Sequence, residues 1–169
     1  ACQWAAHLGA TVIGSTTSPD KVELARANGC AYVLNTRDAG WEKKVREITG
    51  GKGVPVVYDS IGKDTFEASL DCLQQRGLMV SFGNSSGPVT PFPLGILATK
   101  GSLYLTRPTL AHYTRTAEEM QETADDLFAV IKSGAVKVAI NQRVPLKDAA
   151  KAQEALAGKK TTGATVLIP

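Results

Sequence analysis

Short apolar runs alternate with amphipathic segments through the first 107 residues of the chain. Runs rich in β-branched and other apolar residues predict strands at 11–13, 30–35, 54–58, 78–82 and 102–106. Intervening segments with helical spacing include those at about 65–74 and 94–98. This alternation predicts a doubly wound parallel sheet, an α/β fold of the Rossmann type. The run at 54–58 is almost continuously apolar, so we expect a strand buried on both faces.

The pattern changes after Pro108. The remaining residues predict a helix at 116–132, strands at 136–140 and 165–168, and an alanine-rich helix at 146–156. A tail of about 60 residues is too small to hold a stable core alone. We therefore expect one domain at 1–107 and a segment, 108–169, that completes another domain.

The chain opens on nine residues of helical character that end at Gly9, a residue common just after a helix. They include no initiator methionine, no helix-capping residue and no preceding strand. We expect them to be the second half of a helix whose first half lies upstream.

Composition and charge argue against several classes of protein. A net charge of +3 spread along the chain does not favour a nucleic-acid partner, and no apolar run is long enough to span a membrane. The three cysteines, Cys2, Cys30 and Cys72, have neither disulfide-framework nor zinc-site spacing. We expect free thiols in a cytoplasmic protein with no bound metal.

The turn at 15–21 is the first candidate site, because ligands of open α/β sheets bind beyond the carboxyl ends of strands. In dinucleotide-binding folds an acidic residue at the second strand tip binds the adenosine ribose. A 2′-phosphate requires that acid to be absent and a cation to be present, because a carboxylate repels a phosphate. Here Thr16 stands at the tip and Lys21 follows five residues later. The alternative is a polar turn with a solvated lysine.

Two further segments offer ligand-binding groups. At 82–85, Gly83 permits close approach of a ligand, Asn84 and Ser85 supply polar groups, and Phe82 either faces a flat ring or joins the core. The segment 159–163 is either a binding turn or an ordinary surface turn. Motifs for phosphate loops, nucleophile elbows and zinc proteases are absent, and with only His7 and His112 a Ser–His–Asp site is improbable.

Four segments, 56–62, 69–87, 100–108 and 145–149, closely resemble NADPH-dependent quinone oxidoreductases. These enzymes form the zeta-crystallin-like, zinc-free branch of the medium-chain dehydrogenase/reductase superfamily. The resemblance covers the whole chain. It implies hydride transfer from NADPH to a quinone or enone, with the chain as the cofactor-binding portion. The alternative is a non-catalytic cofactor-domain fragment or a crystallin-like binding protein.

The resemblance also assigns roles to residues. Thr17 and Lys21 correspond to contacts of the adenosine 2′-phosphate, and Thr36 lies beside the adenine, where relatives often have tyrosine. Ser60 lies under the cofactor, and Lys159 stands where the family has an arginine that reaches the phosphates. Two loops that flank the nicotinamide contain Phe82, Gly83, Asn84, Ser85, Leu105, Thr106 and Arg107. The resemblance identifies no catalytic residue within the chain.

The same family implies a particular architecture. The first strand, its glycine-rich phosphate-binding turn and a GroES-like domain lie upstream of Ala1, so 1–107 is an NADPH-binding domain without its first strand. Residues 108–169 then complete the GroES-like catalytic domain. Family members form homodimers through an edge strand, which corresponds to 102–106 here.

Overall fold

Helices and strands alternate along the computed structural model, which describes residues 1–158 and 160–169. The strands are β1 (Val12–Thr16), β2 (Cys30–Asn35), β3 (Val54–Asp59), β4 (Leu73–Ser81), β5 (Tyr104–Thr106), β6 (Ile140–Pro145) and β7 (Ala164–Ile168). The helices are α1 (Cys2–His7), α2 (Val22–Ala27), α3 (Trp41–Ile48), α4 (Phe66–Asp71), α5 (Gly95–Thr99), α6 (Ala117–Lys132) and α7 (Ala149–Ala157). This alternation confirms the predicted α/β fold.

Every described ladder is parallel. In the first of two units, Ala1–Thr123, β1 pairs with β2, and β3, β4 and β5 form a second sheet in that order. Among the described strands no ladder joins β1 to β3, as expected for a sheet without its first strand. In the second unit, Ala124–Pro169, β6 pairs with β7.

The core of the first unit covers one face of the β3–β4–β5 sheet. Val57, Met79 and Leu105 are neighbours in register on that face. Phe66 and Leu70 of α4 pack against them. Apolar burial therefore fixes α4 against the sheet and holds the start of the helix near the carboxyl end of β3.

β1 is longer than the predicted run at 11–13. Gly14 and Ser15, which the sequence assigns to a turn, pair with Val33 and Leu34 of β2. A Cβ on Gly14 would lie 2.6 Å from the Cys30 Sγ, so the strand accepts only glycine there without a shift. The close approach explains why a small residue occupies a strand interior.

The expectation that β3 is buried on both faces is wrong. Tyr58 is 73% exposed, and Val56, Leu78 and Tyr104 lie in register on the same side of the sheet. The core covers the opposite face, so the apolar run at 54–58 is half-buried.

The boundary between α4 and β4 also differs from the prediction. The helix ends at Asp71 rather than 74, and the strand already begins at Leu73. The Arg46 guanidinium donates to the Asp71 carbonyl at 2.9 Å and to the Leu73 carbonyl at 2.7 Å, and it also binds the Lys52 carbonyl at 3.0 Å. These bonds occupy carbonyls at the point where the chain leaves the helix.

β5 is shorter than the predicted 102–106, because Ser102 has a φ of 55° and cannot continue an extended strand. In the second unit the predicted strand at 136–140 is wrong, and β6 begins only at Ile140. The Val136 amide still donates to the Val130 carbonyl at 3.0 Å, so these residues close the end of α6. The helix predicted at 146–156 is a 3₁₀ turn, Leu146–Asp148, followed by α7.

No described helix is long and apolar enough to cross a membrane.

Replacing Leu70 tests the assigned core. The side chain is 0% exposed, so Leu70→Ala should lower the free energy of unfolding by about 3 kcal/mol through lost burial and a cavity. Leu94→Ala is the matched control, because Leu94 is 75% exposed and its loss should change stability by less than about 0.5 kcal/mol. Urea denaturation followed by circular dichroism measures both. Equal losses in the two variants would contradict the assigned core.

Candidate functional site

The turn after β1 is closed by its own hydroxyl groups. The Ser18 amide donates to Thr16 Oγ1 at 3.0 Å, and a 3₁₀ turn, Pro19–Lys21, begins directly afterwards. Thr17 and Lys21 are both half-buried in this turn. The Thr16 hydroxyl therefore closes this turn, and the predicted site residues Thr17 and Lys21 lie within it.

The tip of β2 lies beside this turn. Asn35 pairs with Thr16, and the Thr36 amide donates to the Thr16 carbonyl at 3.3 Å. The Asn35 side chain accepts from the Arg37 amide at 3.0 Å, which shapes the following loop. The ladder thus brings the turn bearing Thr17 and Lys21 beside Thr36, as the sequence analysis expects.

Charges at these two tips are mixed. Lys21 ends the 3₁₀ turn and Arg37 is exposed after β2. The Asp38 carboxylate is paired with Lys44 at 3.2 Å, whereas Asp20 is exposed. The last residue of β1 is an uncharged threonine, so no carboxylate occupies the strand tip itself.

A buried carboxylate organises the tip of β3. Asp59 is 4% exposed. Its Oδ1 accepts from the amides of Ile61 at 2.7 Å and Gly62 at 3.0 Å. Its Oδ2 accepts from the hydroxyls of Thr65 at 2.7 Å and Ser69 at 2.8 Å. These four bonds fix the loop that carries Ser60.

This role of Asp59 is not among the predictions made from the sequence. The available signal was an aspartate that ends a strand, with Gly62 three positions later and hydroxyl residues at the start of the next helix. Asp residues that accept local backbone amides are common in such turns.

The loop after β3 is joined to the loop after β4. The Ser85 amide donates to the Ser60 carbonyl at 3.2 Å, and the Ser86 amide donates to the Ile61 carbonyl at 2.9 Å. A Cβ on Gly83 would lie 2.7 Å from the Ser60 Cα, so only glycine fits this crossing. Ser60 and Gly83 are therefore in contact, while Asn84 and Ser85 are exposed beside them.

Phe82 is not a core residue. It is 50% exposed and follows β4, and its ring makes an edge-to-face contact with Tyr58 at a centroid distance of 6.5 Å. The sequence allowed Phe82 either to join the core or to face a flat ring. The structure excludes a place in the core, and the ring forms an exposed aromatic surface at the strand tips.

The tip of β5 completes this group. Thr106 is the last residue of β5, pairs with Val80 and is half-buried. The Arg107 guanidinium donates to the Ser81 carbonyl at 2.8 Å. Arg107 thus binds the end of β4, next to the loop that begins at Phe82.

The predicted site residues therefore fall into two groups. The first group, at the tips of β1 and β2, contains Thr17, Lys21 and Thr36. The second group, at the tips of β3, β4 and β5, contains Ser60, Phe82, Gly83, Asn84, Ser85, Thr106 and Arg107. Lys159 lies outside the described residues.

The cysteines lie away from these groups. Burial raises the pKa of the Cys72 thiol to about 12, and burial with the neighbouring Cys2 thiol raises the pKa of Cys30 to about 11. Both thiols are protonated at neutral pH and behave as small apolar groups. Within 1–158 and 160–169, no cluster of three or more His, Cys, Asp or Glu side chains could hold a metal ion.

A pocket of about 520 Å³ lies at the amino ends of β3, β4 and β5. The two groups of site residues follow the carboxyl ends of the strands, so the pocket is separate from both groups. Its cations are largely occupied, because Arg46 binds backbone carbonyls and Lys100 pairs with Asp71. It is lined by Arg46, Gly51, Lys52, Gln74, Gln75, Thr99, Lys100 and Gly101. None of the predicted site residues lines it.

Comparisons with known proteins agree with this arrangement. Residues 1–130 match the family model described as zinc-binding dehydrogenase. The chain is 53% identical to a quinone oxidoreductase of Pseudomonas aeruginosa, covering 100% of this chain and 52% of that protein. It is 45% identical to a 2-haloacrylate reductase of a Burkholderia species, covering 98% of this chain and 50% of that protein.

Solved structures give the same result. The structure of Escherichia coli quinone oxidoreductase complexed with NADPH matches with a TM-score of 0.94 and 53% identity, covering 99% of this chain and 52% of that chain. The chain thus spans about half the length of the relatives it matches. It belongs to the zinc-binding dehydrogenase family, and the relatives it matches include quinone oxidoreductases.

Proposed function

We propose that the protein containing this chain is an NADPH-dependent quinone oxidoreductase and that the chain forms its cofactor-binding portion. The observation that carries this proposal is that ten predicted site residues follow the carboxyl ends of the strands in two parallel sheets, β1–β2 and β3–β4–β5. Ligands of open α/β sheets bind at that edge. The similarity to an NADPH-bound quinone oxidoreductase extends over nearly the whole chain, which supports the choice of cofactor.

The first group of site residues suits the adenosine end of NADPH. Thr17 offers a hydroxyl and Lys21 offers a cation, while Thr16 ends β1 without a carboxylate. A 2′-phosphate is attracted by the ammonium and would be repelled by an acid at that position. Thr36 lies at the neighbouring tip, where it would border the adenine.

The second group suits the nicotinamide end. Ser60 and Gly83 meet where the two loops cross closely, and the exposed groups of Asn84 and Ser85 lie beside this crossing. Phe82 offers an aromatic edge, and Thr106 and Arg107 border the loop from the side of β5. Lys159 belongs to the same proposal as a phosphate contact.

These residues bind and orient the cofactor, and NADPH itself supplies the hydride when it is bound. The acceptor is a quinone or another electron-poor double bond. An activated alkene fits the 2-haloacrylate reductase among the relatives. Zinc independence is part of the proposal and rests on the resemblance to the zinc-free branch of the superfamily.

The domain division is also part of the proposal. Residues 1–107 would form the NADPH-binding domain, and 108–169 would complete a GroES-like catalytic domain. The chain matches only about half of each relative, which leaves room for the rest of such a domain. A cytoplasmic location agrees with the free state of the described cysteines.

We further propose a homodimer formed through β5. This strand pairs with β4 on one side only among the described strands, and its Tyr104 is 61% exposed. Exposed apolar strand edges favour association, and two-fold edge pairing would join the two sheets.

Replacing Lys21 tests the assignment of the adenosine end. In the full-length protein, Lys21→Ala should raise the KM for NADPH about tenfold and leave the KM for NADH unchanged, because only NADPH carries the 2′-phosphate. Steady-state reduction of a simple quinone measures both values.

Lys52→Ala is the control, since Lys52 is exposed and carries the same charge just before β3, at the end of the strand opposite its tip. An unchanged preference for NADPH in the Lys21 variant would contradict the role of Lys21. A wild-type protein that oxidises neither cofactor would contradict the proposed function.

Replacing Tyr104 tests the dimer. Tyr104→Lys should convert a dimer to a monomer at micromolar concentration, because a two-fold pairing would bring two lysines together at the strand edge. Light scattering measures the mass. Tyr113→Lys is the matched control, since Tyr113 is also 61% exposed but lies outside β5. A wild-type monomer, or a variant that stays dimeric, would contradict pairing through this edge.

A further inference from the structure

Asp59 is a buried carboxylate whose charge is satisfied by hydrogen bonds alone. Its recorded partners are two backbone amides and two hydroxyl groups, and no lysine or arginine is among them. An ionised carboxylate accepts and cannot donate, so all four bonds point toward it. Such a group is costly to bury unless its acceptor sites are filled, as they are here.

The four donors come from two different parts of the structure. The amides of Ile61 and Gly62 belong to the loop after β3, whereas the hydroxyls belong to Thr65, which directly precedes α4, and to Ser69 within it. α4 is itself fixed by core packing through Phe66 and Leu70. The carboxylate therefore ties a surface loop to a rigid helix.

That loop in turn holds the loop after β4. The carbonyls of Ser60 and Ile61 accept from the amides of Ser85 and Ser86, and Ser86 Oγ also donates to the Ile61 carbonyl at 2.8 Å. The Gly62 position is equally close-fitting, because a Cβ there would lie 2.7 Å from the Gly87 carbonyl oxygen. A displacement of 60–62 would therefore move 83–87 as well.

We infer that Asp59 is a positioning residue for the nicotinamide half of NADPH, acting through the joined loops 60–62 and 83–87. The inference rests on the proposed function, because that function assigns Ser60, Asn84 and Ser85 to the cofactor. Asp59 does not touch the cofactor in this account. It sets the positions of the groups that do.

The chemistry of the site predicts that Asp59→Ala disturbs the loops more than Asp59→Asn. Asp59→Ala removes both acceptor oxygens and leaves two amides and two hydroxyls without their partner. Asp59→Asn keeps one carbonyl oxygen, which can face the amides of Ile61 and Gly62. Its NH₂ group would then face Thr65 and Ser69, whose hydroxyls can rotate and accept. The asparagine variant should therefore retain much of the loop geometry that the alanine variant loses.

The test compares NADPH with adenosine 2′,5′-bisphosphate, using the full-length protein. The bisphosphate carries the 2′-phosphate but no nicotinamide, so it can engage only the group at the tips of β1 and β2. We expect Asp59→Ala to weaken NADPH binding at least tenfold and to leave bisphosphate binding within twofold of wild type. Asp59→Asn should weaken NADPH binding by less than half as much on a logarithmic scale. Titration calorimetry measures both dissociation constants.

Two further variants control for stability. Asp71→Ala removes a carboxylate that pairs with Lys100 at the other end of the sheet and should change neither constant. Thr65→Val keeps the side-chain shape and removes one donor to Asp59, so it should reproduce a smaller selective loss even if the alanine variant does not fold.

The outcomes separate the two hypotheses. The positioning role is overturned if the folded Asp59 and Thr65 variants bind both ligands more weakly to the same extent. It is also overturned if their binding of neither ligand is weakened. A wild-type protein that binds neither ligand overturns the proposed function and this role with it. A wild-type protein that binds both, with a selective loss in the variants, supports both.

Discussion

Parallel pairing of the strands is the constraint on which the candidate site depends. The register aligns Tyr58 with Val80 and Thr106, so the next residues, Asp59, Ser81 and Arg107, stand side by side at one edge. Each loop of the second group therefore starts from the same level of the sheet. The Arg107–Ser81 bond then acts over a short distance that the ladder has already set. The four bonds to Asp59 are local to β3, its loop and α4, and they fix the β3 loop at that level.

Backbone groups form most of the candidate site, and a few side chains hold that backbone in place. Thr16 closes one turn and Asp59 closes another, each by accepting from amides within a few residues. Gly83 and Gly62 are needed because the two loops cross too closely for a Cβ. A ligand at this edge would meet amides, carbonyls and hydroxyls held in fixed directions. Such preorganisation lowers the entropic cost of binding a long, flexible dinucleotide.

The sequence was sufficient for features that depend on local pattern. Apolar runs located the strands of the first unit, and the residues that follow them located the strand tips. It was insufficient where distant residues decide. β1 continues through Gly14 because that residue pairs with Val33 of β2, Arg46 binds the Asp71 carbonyl where α4 ends, and Tyr58 is exposed because the core lies on the other face. The full role of Asp59 could not be predicted, because the sequence does not show that the hydroxyl of Ser69, ten residues away, donates to its carboxylate.

The two groups of site residues differ in chemistry as well as in position. The first combines two threonine hydroxyls with the Lys21 ammonium, and of the acids nearby Asp38 is paired with Lys44. At the tips of β3, β4 and β5, Asp59 is buried under the loop and the Arg107 guanidinium donates to the Ser81 carbonyl, so both charged groups hold backbone. In the proposed function, the charge of Lys21 selects the cofactor at its adenosine end. The geometry of the joined loops 60–62 and 83–87 directs the nicotinamide ring at the other end.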